Sequence, residues 1–101
     1  MVCGVAAELY RALSDATRRA ILDELVDRDG QTLFEICSRL AMKHGLTSTR
    51  QAISQHLSVL EAAGLVTSER RGRHKYHHLD TSPLEEIQRR WPHPQQHRST
   101  T

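Results

Sequence analysis

Cysteine, glycine and aromatic residues are scarce in this sequence, and each scarcity excludes something. Two cysteines, Cys3 and Cys37, cannot build a disulfide scaffold or a four-cysteine zinc site. The five glycines include no Gly-rich phosphate loop. No apolar run approaches the length of a membrane span. The N-terminus lacks the basic stretch, apolar core and small-residue cleavage site of a secretory signal. No Ser/His/Asp order and no pocket-forming carboxylate pair stands out, so neither an enzyme nor a bound cofactor is expected. What these absences leave is a small, mostly helical, cytoplasmic protein with no membrane partner.

With 101 residues there is room for one domain. Apolar residues at 38% and charged residues at 26% fit a globular chain and not a disordered one. The net charge of +2 becomes informative only when it is divided along the chain. Residues 1–38 sum to −3, residues 39–78 to +5, and residues 79–101 to zero. Positive charge concentrated in the middle of a chain suggests a polyanionic partner.

Hydrophobic spacing and start signals order the elements. A first helix over about Cys3 to Leu13 carries Val5, Leu9, Tyr10 and Leu13 at helical spacing. Ser14-Asp15 offers an N-cap for a second, roughly Ala16 to Arg28, with Ala20, Ile21, Leu25 and Val26 inward, stopped by Asp29-Gly30. Thr32-x-x-Glu35 is a capping box for a third helix, whose apolar positions are Leu33, Ile36, Cys37 and Leu40. It ends between Lys43 and Gly45. Ser48-x-x-Gln51 reads as a second capping box, opening a helix over about Thr49 to Ala63 with Ile53, Leu57 and Leu60 buried. Leu65–Arg70 and His74–Leu79 read as strands around a turn at Arg71-Gly72-Arg73. A last helix, Pro83 to about Trp91, is ended by Pro92 and Pro94. The polar tail, 92–101, reads as disordered.

The expected fold is therefore mainly α with a small β-hairpin, in the order α-α-α-α-β-β-α. A helix-turn-helix (32–63) followed by a basic hairpin (65–79) is the architecture of a winged helix-turn-helix domain, here spanning 1–91.

The middle segment suits double-stranded DNA. With its apolar stripe inward, the fourth helix turns Arg50, Gln51, Ser54, Gln55 and Ser58 outward. Arginine pairs bidentately with guanine and glutamine with adenine. Ser48 and Thr49, at the helix start, suit phosphate oxygens. His56 lies at the boundary of the two faces, placed equally well to touch phosphate or to pack locally. Polar residues on one helix face ordinarily mean only that the face is wet, but no Asp or Glu occurs between Arg39 and Val59. Arg70, Arg71, Arg73 and Lys75 crowd the hairpin tip, with His74 beside them. Edge protection accounts for one or two such charges, not for four within six residues.

These same residues carry a family resemblance. Leu9–Leu25 resembles the opening of the ArsR family of winged helix-turn-helix regulators (the ArsR/SmtB-like proteins), and Ala52–Asp80 resembles that family's recognition helix and wing. The resemblance implies a homodimer that binds operator DNA and represses, released by an effector that the sequence leaves unknown. Ala16 stands where the family usually has proline, and Ala41–Thr47 is longer than its usual turn: either the third helix gains a turn or the loop is enlarged. Many relatives sense metals through a Cys-x-Cys pair; the matching positions here are Thr32 and Phe34, which do not bind soft metals. A second inherited site falls on Thr81, Pro83, Pro94 and His97, of which only His97 is a ligand type. No metal site is expected.

The first helix (1–13) and last helix (83–91) are the expected dimer elements, with Val5, Leu9, Tyr10, Leu84, Ile87 and Trp91 at the interface. Rival readings are a protein-interaction winged helix, disfavoured by the polar face of the fourth helix, and an RNA-binding one, disfavoured because only Tyr76 lies near the basic surface.

Overall fold

A computed structural model describes residues 2–94, with side chains from residue 7 onward. The elements are α1 (Val2–Leu13), α2 (Ala16–Asp27), α3 (Leu33–His44), α4 (Arg50–Ala62), β1 (Val66–Arg71), β2 (His74–Leu79) and α5 (Leu84–Arg90). This is the expected order. Val5 and Cys3 lie on α1, but their side chains are outside the described set, as are all of residues 95–101.

Local chemistry sets the helix ends. Asp15 accepts the Arg18 N–H at the start of α2. Thr32 and Glu35 complete their reciprocal capping box at α3. At α4 the cap is Thr49, which accepts from the Ala52 N–H at 3.0 Å, and not Ser48 as expected. Starting one residue later puts Ala52 at the third helical position, within reach of the Thr49 hydroxyl. The extra length of Ala41–Thr47 is helix as far as His44. Gly45, at φ 65°, then closes α3, with the Leu46 N–H reaching back to the Leu40 carbonyl.

One core holds the domain. Leu9, Ile21, Leu25, Ile36, Leu40, Ile53, Leu57 and Leu60 pack with Leu65 and Val66. Two assignments are corrected here, Val26 as an inward residue and Leu9 as a dimer contact. Val26 is 70% exposed, because the α2 stripe of Ala20, Ile21, Glu24 and Leu25 leaves it one step too far round; Glu24 takes the buried place. Leu9 is 1% exposed within a single chain, so it fills this core and has no surface to offer a partner. Leu84 and Ile87 pack partly on the same core. Tyr10 and Trp91 form the outward end of the α1–α5 pair, ring centroids 6.3 Å apart, with Trp91 59% exposed.

The hairpin is an antiparallel pair in which Arg71 faces His74 across Gly72-Arg73. Gly72 at φ 60° opens that two-residue turn, as a II′ geometry requires. A single further bridge joins Gln31 to His77, through both backbone hydrogen bonds, and so ties the wing to the start of α3.

Candidate nucleic-acid interface

The charged residues divide into two sets. On the back, Glu24 is buried in α2 (side chain 3% exposed) and meets α3: Arg39 Nε lies 2.7 Å from Glu24 Oε1 and His44 Nε2 2.9 Å from Oε2. Arg39 and Lys43 also reach Asp27, at 2.7 and 2.8 Å. Burial pushes the Glu24 carboxyl up. The hydrogen bonds from Arg39 and His44, with the charge of Lys43, outweigh it and hold the carboxyl below its ordinary range. Arg39 and Lys43 belong to the basic middle of the sequence, yet their charge is spent on α2.

On the front, Arg50, Gln51, Ser54, Gln55 and Ser58 are exposed along α4, and Arg70, Arg71, Arg73, His74 and Lys75 are exposed on the wing. Among the described residues Arg50, Arg70, Arg73 and Lys75 have no carboxylate partner; Arg71 lies 3.3 Å from Glu69. Ser48 and Thr49 are exposed at the α4 start, Thr49 with its hydroxyl engaged in the cap. The Arg50 guanidinium stands over the Phe34 ring, 5.5 Å from its centroid. Phe34 is 62% exposed, so the pairing, and not core packing, gives that ring a role. Cys37 lies near Arg50, but burial raises its thiol pKa and Arg50 offsets this only in part, so the thiol stays protonated near neutral pH.

His56 is turned inward from this face. Its Nδ1 is 3.2 Å from Arg18 Nη1 and 3.9 Å from Asp15 Oδ2. The same guanidinium donates to the Arg11 and Ala12 carbonyls, both at 3.0 Å. Arg18 thus links the end of α1, the start of α2 and the middle of α4. Nothing in the sequence marked it for that role, since its partners lie up to 38 positions away.

Between the start of α3, α4 and β2 runs a groove of about 740 Å³. Arg50, Ser54 and Ser58 enter it from α4, and Arg73, His74 and Lys75 from the wing. Gln51 and Gln55 stand on α4 outside it. At its inner end His77 is 5% exposed, and neither ring nitrogen has a hydrogen-bond partner among the described residues. Burial pushes this imidazole below the ordinary histidine range, so it is neutral near pH 7. Buried polar groups without partners cost about 1–3 kcal/mol each. His78, by contrast, is held by Asp29 at 3.1 Å and sits 3.4 Å from Glu69.

A helix-turn-helix presenting an acid-free polar helix face, flanked by a basic hairpin in which Arg70, Arg73 and Lys75 are unpaired among the described residues, defines a winged-helix DNA-binding protein. The comparisons give the family. A helix-turn-helix domain family matches residues 13–69. An uncharacterised HTH-type transcriptional regulator of Bacillus subtilis, YuzN, is 49% identical over 83 residues, 82% of this chain and 90% of that protein. The transcriptional repressor SdpR of the same organism is 32% identical over 77% of this chain and 79% of its own length. Among solved structures, an ArsR-like transcriptional regulator from Rhodococcus sp. RHA1 superposes with a TM-score of 0.73 at 36% identity, covering 86% of this chain and 73% of that one. The chain belongs to the ArsR family of winged helix-turn-helix transcriptional regulators. It is a DNA-binding regulator and not an enzyme. Among the described residues no helix is long and apolar enough to cross a membrane.

Proposed function

We propose that the protein is a cytoplasmic homodimeric repressor that binds an inverted-repeat operator. Two α4 helices enter successive major grooves, roughly 34–36 Å apart. Arg50, Gln51, Ser54 and Gln55 supply base contacts, while Ser48 and Thr49 meet phosphate at the helix start. Arg70, Arg71, Arg73, His74 and Lys75 follow the flanking backbone and supply affinity with little sequence information. His56 acts indirectly, through its bond to Arg18. The observation that carries this reading is that Arg50, Arg70, Arg73 and Lys75 stand exposed on α4 and the wing with no carboxylate partner among the described residues, whereas Arg39 and Lys43 are paired with α2.

Dimerisation through α1 and α5 is supported by the Tyr10–Trp91 pair, left open at the surface of one chain and capped by Arg90, whose guanidinium lies 4.6 Å from the Trp91 centroid. Regulation without the inherited metal sites is supported by the residues present. Thr32 spends its hydroxyl on the α3 cap, Phe34 carries no donor atom, and Thr81 and Pro83 offer no soft ligand.

The test is a gel-shift titration against the protein's own promoter region, with random duplex as competitor, at two salt concentrations. Retention that resists the competitor is expected. Binding that random duplex removes equally, and that salt erases, would reduce the surface to a non-specific polyanion binder.

A further inference from the structure

The groove between α4 and the wing is more than a track for phosphates. Its exposed rim carries Arg50, Arg73 and Lys75, whereas its buried floor carries Leu57 and His77. A sugar–phosphate backbone resting on the rim cations has no use for an apolar floor or for an imidazole with both nitrogens unpartnered. No hydrogen bond of the described fold uses that imidazole: His77 makes its bridge to Gln31 through backbone groups alone.

We propose that this groove binds a small aromatic acid that carries a hydrogen-bond donor at the end away from its carboxylate, and that ligand and DNA exclude one another. The volume of about 740 Å³ falls within the range of small-molecule sites, about 300–1,000 Å³. Strand alternation sets Lys75 and His77 on one face of β2, with Arg73 in the turn beside them. The carboxylate sits against the rim cations and the ring lies over Leu57. The ligand's O–H or N–H donates to the neutral His77 ring, with the Glu61 carboxylate beside it as a second acceptor. Glu35, the other acid of the groove, is occupied by its capping box. The rim therefore favours an anion. Because the ligand's carboxylate takes the cations assigned above to phosphate, occupancy releases DNA. This second half rests on the DNA-binding reading; the binding itself does not.

The experiment is calorimetric titration of the full chain, without DNA, with 4-hydroxybenzoate, 4-aminobenzoate and 4-hydroxyphenylacetate, and with 4-hydroxybenzylamine as the opposite-charge control. Saturable binding of at least one acid is expected, with none of the amine. His77→Phe should weaken it at least tenfold, and Lys75→Ala, an exposed position that tolerates truncation, severalfold. Circular dichroism checks that His77→Phe is folded, and Lys75→Ala keeps the test intact if it is not. Absence of binding by all three acids, or binding unchanged by Lys75→Ala, overturns the proposal. An anisotropy assay on operator DNA then separates the two readings. Acid binding by a protein that fails to retain DNA upholds the groove and removes the regulator. DNA retention that no acid weakens upholds the regulator and removes the groove's role in release.

Discussion

The back of the molecule, where α2 meets α3, and the front, where α4 meets the wing, use the same residue types for opposite ends. On the back, Arg39 and Lys43 reach carboxylates at 2.7 and 2.8 Å, and the buried Glu24 needs them. On the front, Arg50, Arg70, Arg73 and Lys75 have no carboxylate within reach among the described residues. Paired charge stabilises the fold and is invisible to a partner. Unpaired charge adds little stability and remains available to phosphate. A net charge summed along a sequence mixes the two, and only the spatial pairing separates them.

Substitutions that separate stability from binding put this contrast to the test. The largest expected effect is on the back. Glu24→Ala removes the bonds from Arg39 and His44 and should lower folding stability by about 2–3 kcal/mol, read as the urea midpoint, while the salt dependence of DNA binding stays unchanged. The same carboxylate gives a pH signature. Its folded pKa lies below the ordinary value of 4.5, so the unfolded chain takes up the proton first as pH falls. Its contribution is therefore complete above pH 4.5 and is lost as pH falls through the lower folded value. Glu24→Gln should flatten that acid slope in a series of urea titrations; an identical slope would remove Glu24 as its source.

On the front, the effects move to DNA. Gln51→Ala or Gln55→Ala should relax preference at one base pair by about 1–3 kcal/mol, read from a panel of operator variants, with the salt slope unaltered. Phe34→Leu removes the ring beneath Arg50 and should weaken operator binding by about 2- to 5-fold, the exposed cation–π range, with partial recovery in Phe34→Tyr. A gain in affinity would mean that Phe34 restrains Arg50 and does not present it. The smallest expected stability effect belongs to Arg73→Ala, within about 0.5 kcal/mol. Its salt slope for DNA should nevertheless fall by about one.

Much of the scaffold was legible because its signals are local. The Thr32–Glu35 box, the stripe of Ile53, Leu57 and Leu60, and Gly72 at the hairpin tip each depend on residues a few positions apart, and each stands where the spacing placed it. The misplacements have equally physical sources. Ser48 and Thr49 are chemically equivalent caps, and only the backbone geometry chose Thr49. Val26 outranks Glu24 in hydrophobicity, but Glu24 is buried because Arg39 and His44 come from another helix to meet it. Leu9 looked surplus to a small core and is in fact part of it. In the candidate interface the exposed residues of α4 and the wing were legible from charge and helix phase. The Phe34–Arg50 pair, the Arg18 link to His56 and the unpartnered His77 were not, because each depends on elements brought together only by the fold.

On the proposed function, unpaired front cations, and not the chain's total positive charge, bind DNA. The most direct test is fluorescence anisotropy of a promoter duplex across a salt series, comparing the unmodified protein with Arg73→Ala and Lys43→Ala. Each variant loses one positive charge. Arg73→Ala is expected to lower affinity and reduce the salt slope by about one while Lys43→Ala leaves both unchanged. Equal losses in the two variants would contradict it, because total charge would then suffice.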